Sequence, residues 1–293
     1  MIYTVFSTTD NPYMNWQSML LEYSWKEIKQ PGELIRLVAS NDRTQLPESS
    51  IANVVHTWPW DIHPLTGDRY LIYNKPASLS QWLAKDKPEG TVLFIDPDCV
   101  FRAPITTEVH PGHSLSQKWI DFRSDSTYYS SEDNAPINLI EQFCQHHHEL
   151  IQGVMIPTLI HTHDLRRLVT RWLEVTGQIR QGIRNREGRP LWESDMFGYI
   201  IAAAECGLIQ EATNLGICTN WLPADVPNAP IIHYCQSILS KDDDVIWEKR
   251  SYKPWAKVQD PQQAKCDYGQ DLLALLNRFI ESREHEPFLS GGS

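Results

Sequence analysis

The chain has 293 residues, 41% of them hydrophobic and 22% charged, with only 14 glycines, which excludes a disordered or fibrous polymer. Twenty-six Lys and Arg against 37 Asp and Glu leave a formal charge of −11, so no general positive field draws nucleic acid or an anionic membrane surface. No apolar run approaches the roughly 20 residues that a membrane-spanning helix needs, and Met1–Phe6 lacks the basic-then-apolar order of a secretion signal. A cytoplasmic protein with reduced thiols is expected, because Cys99, Cys144, Cys206, Cys218, Cys235 and Cys266 lie far apart with no CxxC pair.

In chain order, Ile2–Phe6 reads as a strand that stops at the polar cluster Ser7–Pro12, and Tyr13–Ile28 has helical spacing in Trp16, Met19, Leu20 and Tyr23 up to Pro31-Gly32. Leu34–Val38 and Asn53–His56 are strand candidates, Pro76–Ala84 a helix with proline in its first turn, and Thr91–Ile95 a buried strand. Strands are expected next at Ser114–Trp119 and Gly153–Pro157, and helices at Ile137–Cys144 and Asp164–Thr176. Gln178–Pro190, with four arginines and nearby glycines, reads as a loop; Ser194–Cys206 as a helix; Pro230–Tyr234 as the last strand; Asp271–Ile280 as a closing helix. Strands alternating with helices predict an α/β class with a mostly parallel sheet. Ser290–Ser293 reads as a flexible tail.

The segment Thr91–Phe101 carries the strongest chemical signal. A buried apolar strand ends in Asp96-Pro97-Asp98, placing two carboxylates at the carboxyl edge of a sheet, where open α/β folds bind ligands. A divalent cation would offset the cost of burying them; the alternative is a turn that merely closes the strand. His233, at the end of an apolar run, is either an imidazole ligand completing that site or a satisfied core histidine. Lys253-Pro254-Trp255 offers a cation and an aromatic ring to a diphosphate and a flat base, or is a plain surface turn. Glu193 and Asp195 open a helix: as acidic caps favoured by the helix dipole, or as carboxylates directed at a substrate hydroxyl or a developing positive charge. The arginines at 180–189 either grip a diphosphate or form a solvated loop. His146–His148, His161 and His163 lack the spacing of a zinc site, and no Gly-x-Gly-x-x-Gly, Walker or Gly-x-Ser-x-Gly motif occurs.

The order of these segments resembles the GT-A nucleotide-sugar glycosyltransferases, and more narrowly the hydroxyproline O-arabinosyltransferases and peptidyl serine α-galactosyltransferases. Phe6–Gln17 resembles the family's first strand, nucleotide-facing loop and helix; Tyr73-Asn74-Lys75-Pro76-Ala77 with Gln81-Trp82-Leu83 its Asn-(Arg/Lys)-Pro segment; Asp96-Pro97-Asp98 its acidic metal motif. Asp195–Tyr199 with Ile200–Ala202 resembles the acidic residue and apolar helix, and Ile231–Tyr234 the late strand bearing a ligand histidine. The resemblance implies a GT-A (Rossmann-like) domain at 1–258, a C-terminal helical extension at 259–289 and a tail at 290–293. It implies Mn2+ or Mg2+ held by Asp96, Asp98 and His233 against a UDP-sugar diphosphate, with Thr8 and Asp10 near the uridine, Asn74 on the donor side, and Lys75 or Lys253 near phosphate. Asp195, with Glu193, becomes the catalytic carboxylate, and retention of configuration the expected outcome. The sugar, arabinofuranose or galactose-like, and the hydroxyl acceptor, on a peptide or a small molecule, stay open. The plant enzymes are usually Golgi membrane proteins, so a cytosolic, bacterial-like enzyme is expected instead. A metal-dependent nucleotide-sugar or phosphodiester hydrolase and a non-catalytic nucleotide- or carbohydrate-binding protein are the competing readings.

Overall fold

The computed structural model describes all residues except 43–50, 65, 125–128, 132, 134, 136, 186, 219–227, 259 and 286–293. Arg186 of the arginine-rich run and the Ser290–Ser293 tail lie outside the described residues. In chain order the elements begin with β1 (Ile2–Thr9), α1 (Pro12–Glu27), β2 (Glu33–Ala39), β3 (Asn53–Thr57), α2 (Asn74–Asp86), β4 (Thr91–Ile95) and β5 (Cys99–Phe101). They continue with β6 (His113–Lys118), β7 (Ser130–Ser131), α3 (Leu139–Phe143), β8 (Val154–His161), α4 (Thr162–Gly182), β9 (Ile183–Arg184) and α5 (Ser194–Glu205). The remainder comprises β10 (Ile209–Thr213), β11 (Gly216–Cys218), β12 (Ile231–His233), β13 (Ile238–Leu239), β14 (Val245–Trp247) and α6 (Asp267–His285).

Seven strands form one sheet in the order β10-β6-β8-β4-β1-β2-β3. All neighbours are parallel except β8, which runs against both β4 and β6. The sheet is mixed and mostly parallel, with helices on both faces. Because β4 is paired on both edges and covered on both faces, all five of its residues are buried, which is why it reads as an unbroken apolar run. Successive side chains of β1 and β4 alternate between two cores. Val5, Val92 and Phe94 pack with Trp82 of α2, Trp172 of α4 and Ala203 of α5, while Phe6, Leu93 and Ile95 pack with Leu21 of α1. A third core joins α1 to α6 and to a small sheet, β11-β12-β5, through Trp16, Val100, Ile232 and Leu276. Among the described residues, no helix is long and apolar enough to cross a membrane.

Helix α4 departs from expectation. It runs through Gln178–Gly182, and Ile183–Arg184 then pairs with β7, so the stretch expected to be a loop is helix and strand as far as Arg184. Val175, Ile179 and Ile183 continue one buried stripe at four-residue spacing, and this burial outweighs the glycines that suggested a break. Gly177 has a packing reason: a Cβ there would lie 2.7 Å from His63 Nε2. The strand at Ile231–His233 is not the last, since β13 and β14 follow it. Strands β5, β10 and β11 escape the sequence pattern because they are three to five residues long, and β10 is an edge strand with mostly exposed or partly exposed side chains.

The contact between α4 and α5 is tight at Gly198, where a Cβ would meet Thr176 Oγ1 at 2.2 Å and the Trp172 carbonyl oxygen at 3.0 Å. Gly198→Ala is expected to destabilise the fold by roughly 1–3 kcal/mol, the cost of overpacking a closed interface, read as a lower urea midpoint at unchanged slope. An unshifted midpoint would mean that the helices separate freely.

Candidate metal and nucleotide-sugar site

The site starts where β4 ends. Ile95 is the last residue in the main sheet; Asp96–Asp98 turn, with the Cys99 amide donating to the Asp96 carbonyl at 3.1 Å, and β5 enters the small sheet. There β5 pairs antiparallel with β12, His233 opposite Cys99, and the Tyr234 amide donates to the Asp98 carbonyl at 2.9 Å. This register sets His233 Nε2 3.2 Å from Asp98 and 3.7 Å from Asp96. One ligand atom from each of Asp96, Asp98 and His233 falls within 4.8 Å of the others. Two carboxylates and an imidazole, on a sheet edge, are a donor set that fits manganese or magnesium.

Among the described residues, three cations face these carboxylates. Lys249, two residues beyond β14, pairs with Asp98 Oδ2. Lys75, in the first turn of α2, lies 2.9 Å from Asp96 and 3.4 Å from Asp195 in the first turn of α5. Burial alone would discharge Lys75, but Asp96, Asp195 and Asp98 together hold its ammonium above the ordinary lysine range. Burial likewise opposes the His233 cation, and Asp98 overcomes it, pushing the imidazole up to about 9. Asp98, which burial would raise, is held well below the carboxylate range by His233 and Lys249. The Cys99 thiol is pushed up by burial and by both aspartates, so it stays protonated beside them.

Residues 2–213 match the Hydroxyproline O-arabinosyltransferase family N-terminal domain. The chain belongs to this family. It is 29% identical over 246 residues to the peptidyl serine alpha-galactosyltransferase of Arabidopsis thaliana, covering 80% of this chain and 30% of that protein. With hydroxyproline O-arabinosyltransferase RDN1 of Medicago truncatula the identity is 23% over 214 residues, covering 69% of this chain and 56% of the relative. The chain thus spans less than two thirds of the length of these relatives. Galactosyltransferase LgtC, solved in complex with donor and acceptor sugar analogs, matches with a TM-score of 0.54 at 13% identity over 96% of both chains. The WbbM bifunctional glycosyltransferase matches with a TM-score of 0.52 at 12% identity over 96% of this chain and 51% of its own. These likenesses make the fold GT-A.

In this family member the residues singled out in the sequence have different fates. Asp96, Asp98, His233, Lys75 and Asp195 converge as described. Thr8 is buried, its hydroxyl accepting from Arg36 Nε at 3.2 Å, whereas Asp10 is exposed at the start of the loop before α1, 3.5 Å from Asn15 Nδ2. Asn74 uses its side-chain oxygen to accept from the Trp60 amide at 2.6 Å, and its Nδ2 is buried without a hydrogen-bond partner. Glu193 immediately precedes α5, makes no side-chain cap, and is raised by burial and by Asp195. Lys253 is exposed, and Trp255 packs on Phe279 and under the Arg283 guanidinium. The lysine that joins Lys75 at the acidic pair is Lys249, for which the run Glu248-Lys249-Arg250 gives no sequence signal.

The sequence also missed what supports Asp195. The Tyr70 hydroxyl lies 2.9 Å from Asp195 Oδ1 and within donating reach of the Trp192 carbonyl. Burial and Asp195 raise Tyr70 well above the usual tyrosine range, so it remains a donor. The Arg180 guanidinium stacks 4.3 Å from the Tyr70 ring centroid and pairs with Asp68 at 3.0 Å, and the Tyr73 hydroxyl donates to Asp68 at 2.9 Å. Arg180 is thus engaged by Asp68 and the Tyr70 ring.

Burial would raise Asp68, but the bonds from Arg180 and Tyr73 and the charge of Arg180 hold it below the ordinary carboxylate range. A depressed folded-state pKa adds stability above the unfolded value, about 3.9, and that stability is lost as pH falls through the folded value. Asp68→Asn is thus expected to lower the melting temperature near neutrality and to flatten its fall below about pH 4. Thermal unfolding across pH checks this: parallel acid limbs in the two proteins would rule it out.

Proposed function

We propose that this chain is a metal-dependent glycosyltransferase that moves a sugar, galactose-like or arabinofuranose, from a UDP-sugar to a hydroxyl acceptor, with retention of configuration. The observation that carries the reading is the Asp96–Asp98–His233 triangle at the carboxyl end of β4, with its ligand atoms inside 4.8 Å. The acceptor is a serine or hydroxyproline hydroxyl on a peptide, the class named for the relatives.

Manganese or magnesium held by Asp96, Asp98 and His233 would supply Lewis-acid neutralisation of the departing diphosphate. The chain's own residues do the rest. Lys249, paired with Asp98, is placed to offer its ammonium to a diphosphate oxygen. Lys75 ties Asp96 to Asp195 and so fixes the two carboxylates relative to each other. Asp195 stabilises positive charge developing on the sugar and orients the acceptor hydroxyl. In the transfer the bond between the anomeric carbon and the diphosphate oxygen breaks, its electron pair leaving with UDP. The acceptor oxygen forms the new bond, and its proton passes to the leaving phosphate. Should the outcome be inversion, Asp195 takes that proton as general base.

A thermal-shift screen of UDP-sugars with and without manganese identifies the donor, because a ligand that prefers the native state raises its stability by mass action. Asp98→Ala is expected to abolish the manganese-dependent shift, and Asp195→Asn to keep the shift while reducing transfer by roughly 100-fold or more, the scale of a lost acid–base or charge-stabilising group. Metal-independent UDP binding, or near-wild-type turnover in Asp195→Asn, would reject the respective role. Sugar release at a rate indifferent to acceptors would mark a hydrolase.

A further inference from the structure

We propose that Arg36 is a positioning residue for donor binding: held beneath the loop between β1 and α1, it sets the shape of the surface that receives the nucleoside end of the nucleotide-sugar. The inference deepens the reading above and rests on it. Strand β2 buries Leu34–Ala39, and Arg36 is the one charged residue in that apolar run, fully buried. By strand alternation its side chain shares a face with Leu34, which packs with Phe6 and Leu21 in the layer under α1. Its Nε donates to Thr8 Oγ1 at 3.2 Å and its Nη2 to Asn15 Oδ1 at 2.5 Å, so one guanidinium clasps the end of β1 and the first turn of α1, on either side of the loop. Glu22, farther along α1, and Asp10, in the loop itself, supply the negative charge that opposes its desolvation.

A buried cation is a poor device for stability, since desolvation consumes most of its attractions. What it fixes is geometry: the planar fork reaches two oxygens in set directions. Thr8, which also donates to the Leu37 carbonyl at 3.5 Å, is thereby turned inward, and Asn15 Nδ2 lies 3.5 Å from Asp10 Oδ1, so a series runs from Arg36 in the core to the exposed part of the loop. The position of the loop says what it receives. Phe6 pairs with Ile95, where β4 ends, and β1 continues past that point for Ser7–Thr9, so the loop leaves the same sheet edge as Asp96–Asp98. Tyr13, just after it, lies within electrostatic reach of Lys249, the partner of Asp98. Asp195 is reached from the other carboxylate, Asp96, through Lys75. A diphosphate on the acidic pair with its sugar toward Asp195 therefore directs its nucleoside toward this loop.

The test titrates the full chain in manganese with UDP and with inorganic pyrophosphate, which carries the same anionic part and no nucleoside. Arg36→Lys keeps a charge that cannot span both oxygens. Asn15→Ala removes one arm at a partly exposed helix position, where alanine favours the helix, so this variant folds even if the buried one does not. Each is expected to raise the UDP Kd by about tenfold, the scale of one hydrogen bond to a charged group, with the pyrophosphate Kd unchanged. In transfer assays the donor KM rises in the same variants while the acceptor KM holds. Equal losses for UDP and pyrophosphate mark general loosening of the fold and overturn the positioning role, as does wild-type UDP affinity in Asn15→Ala and in folded Arg36→Lys. In either case manganese-dependent UDP binding by the wild-type chain leaves the reading of the site standing. A wild-type chain that binds neither probe in manganese overturns both together.

Discussion

The antiparallel pairing of Cys99–Phe101 with Ile231–His233 is the constraint on which the rest of the site depends. A parallel sheet delivers strand ends to one edge, but a strand end carrying a buried and a partly buried aspartate is tolerable only if counter-charge arrives with it. Here the chain leaves the main sheet at Ile95, turns through the aspartates and enters a second sheet whose register sets His233 opposite Cys99. The same stretch leads through β13 and β14 to Lys249. One pairing thus brings an imidazole and an ammonium to Asp98.

A second constraint joins α2 to α5. Lys75 and Asp195 occupy first helical turns, of α2 and α5, so packing of both helices on one face of the sheet fixes where their charges meet. Around them runs a connected series: Asp96 to Lys75, Lys75 to Asp195, Asp195 to Tyr70, Tyr70 under Arg180, and Arg180 to Asp68 and thence Tyr73. Buried charges in such a series gain little net stability, since desolvation consumes the attraction. What they do give is geometry, because moving one member strands its neighbours without partners. Rigidity of this kind holds side chains in one relative geometry.

Much of this was legible in the sequence for local reasons. The apolar run Thr91–Ile95 ending in two aspartates, the periodicity of α1 and α5, and the alternation of strands with helices each depend on neighbouring residues, and the structure agrees with them. The order of Asp96, Asp98, Asp195 and His233 along the chain carried a family resemblance, and the match over residues 2–213 bears out that membership. Local signals misled where burial overrode them, as in the glycine-flanked end of α4, kept helical by Ile179 and Ile183.

Tertiary structure alone decided the identity of the partners. Lys249 reaches Asp98 because β12 is registered against β5, and Tyr70 and Arg180 brace Asp195 because the chain between β3 and α2 packs on α4 through Asp68 and Arg180. None of these residues carries a motif. Sequence determined which side chains supply charge and where the chain turns, since those follow from periodicity and turn chemistry. Which charge neutralises which was settled by strand register and helix packing, and contacts between residues so far apart in the chain leave no mark on local pattern.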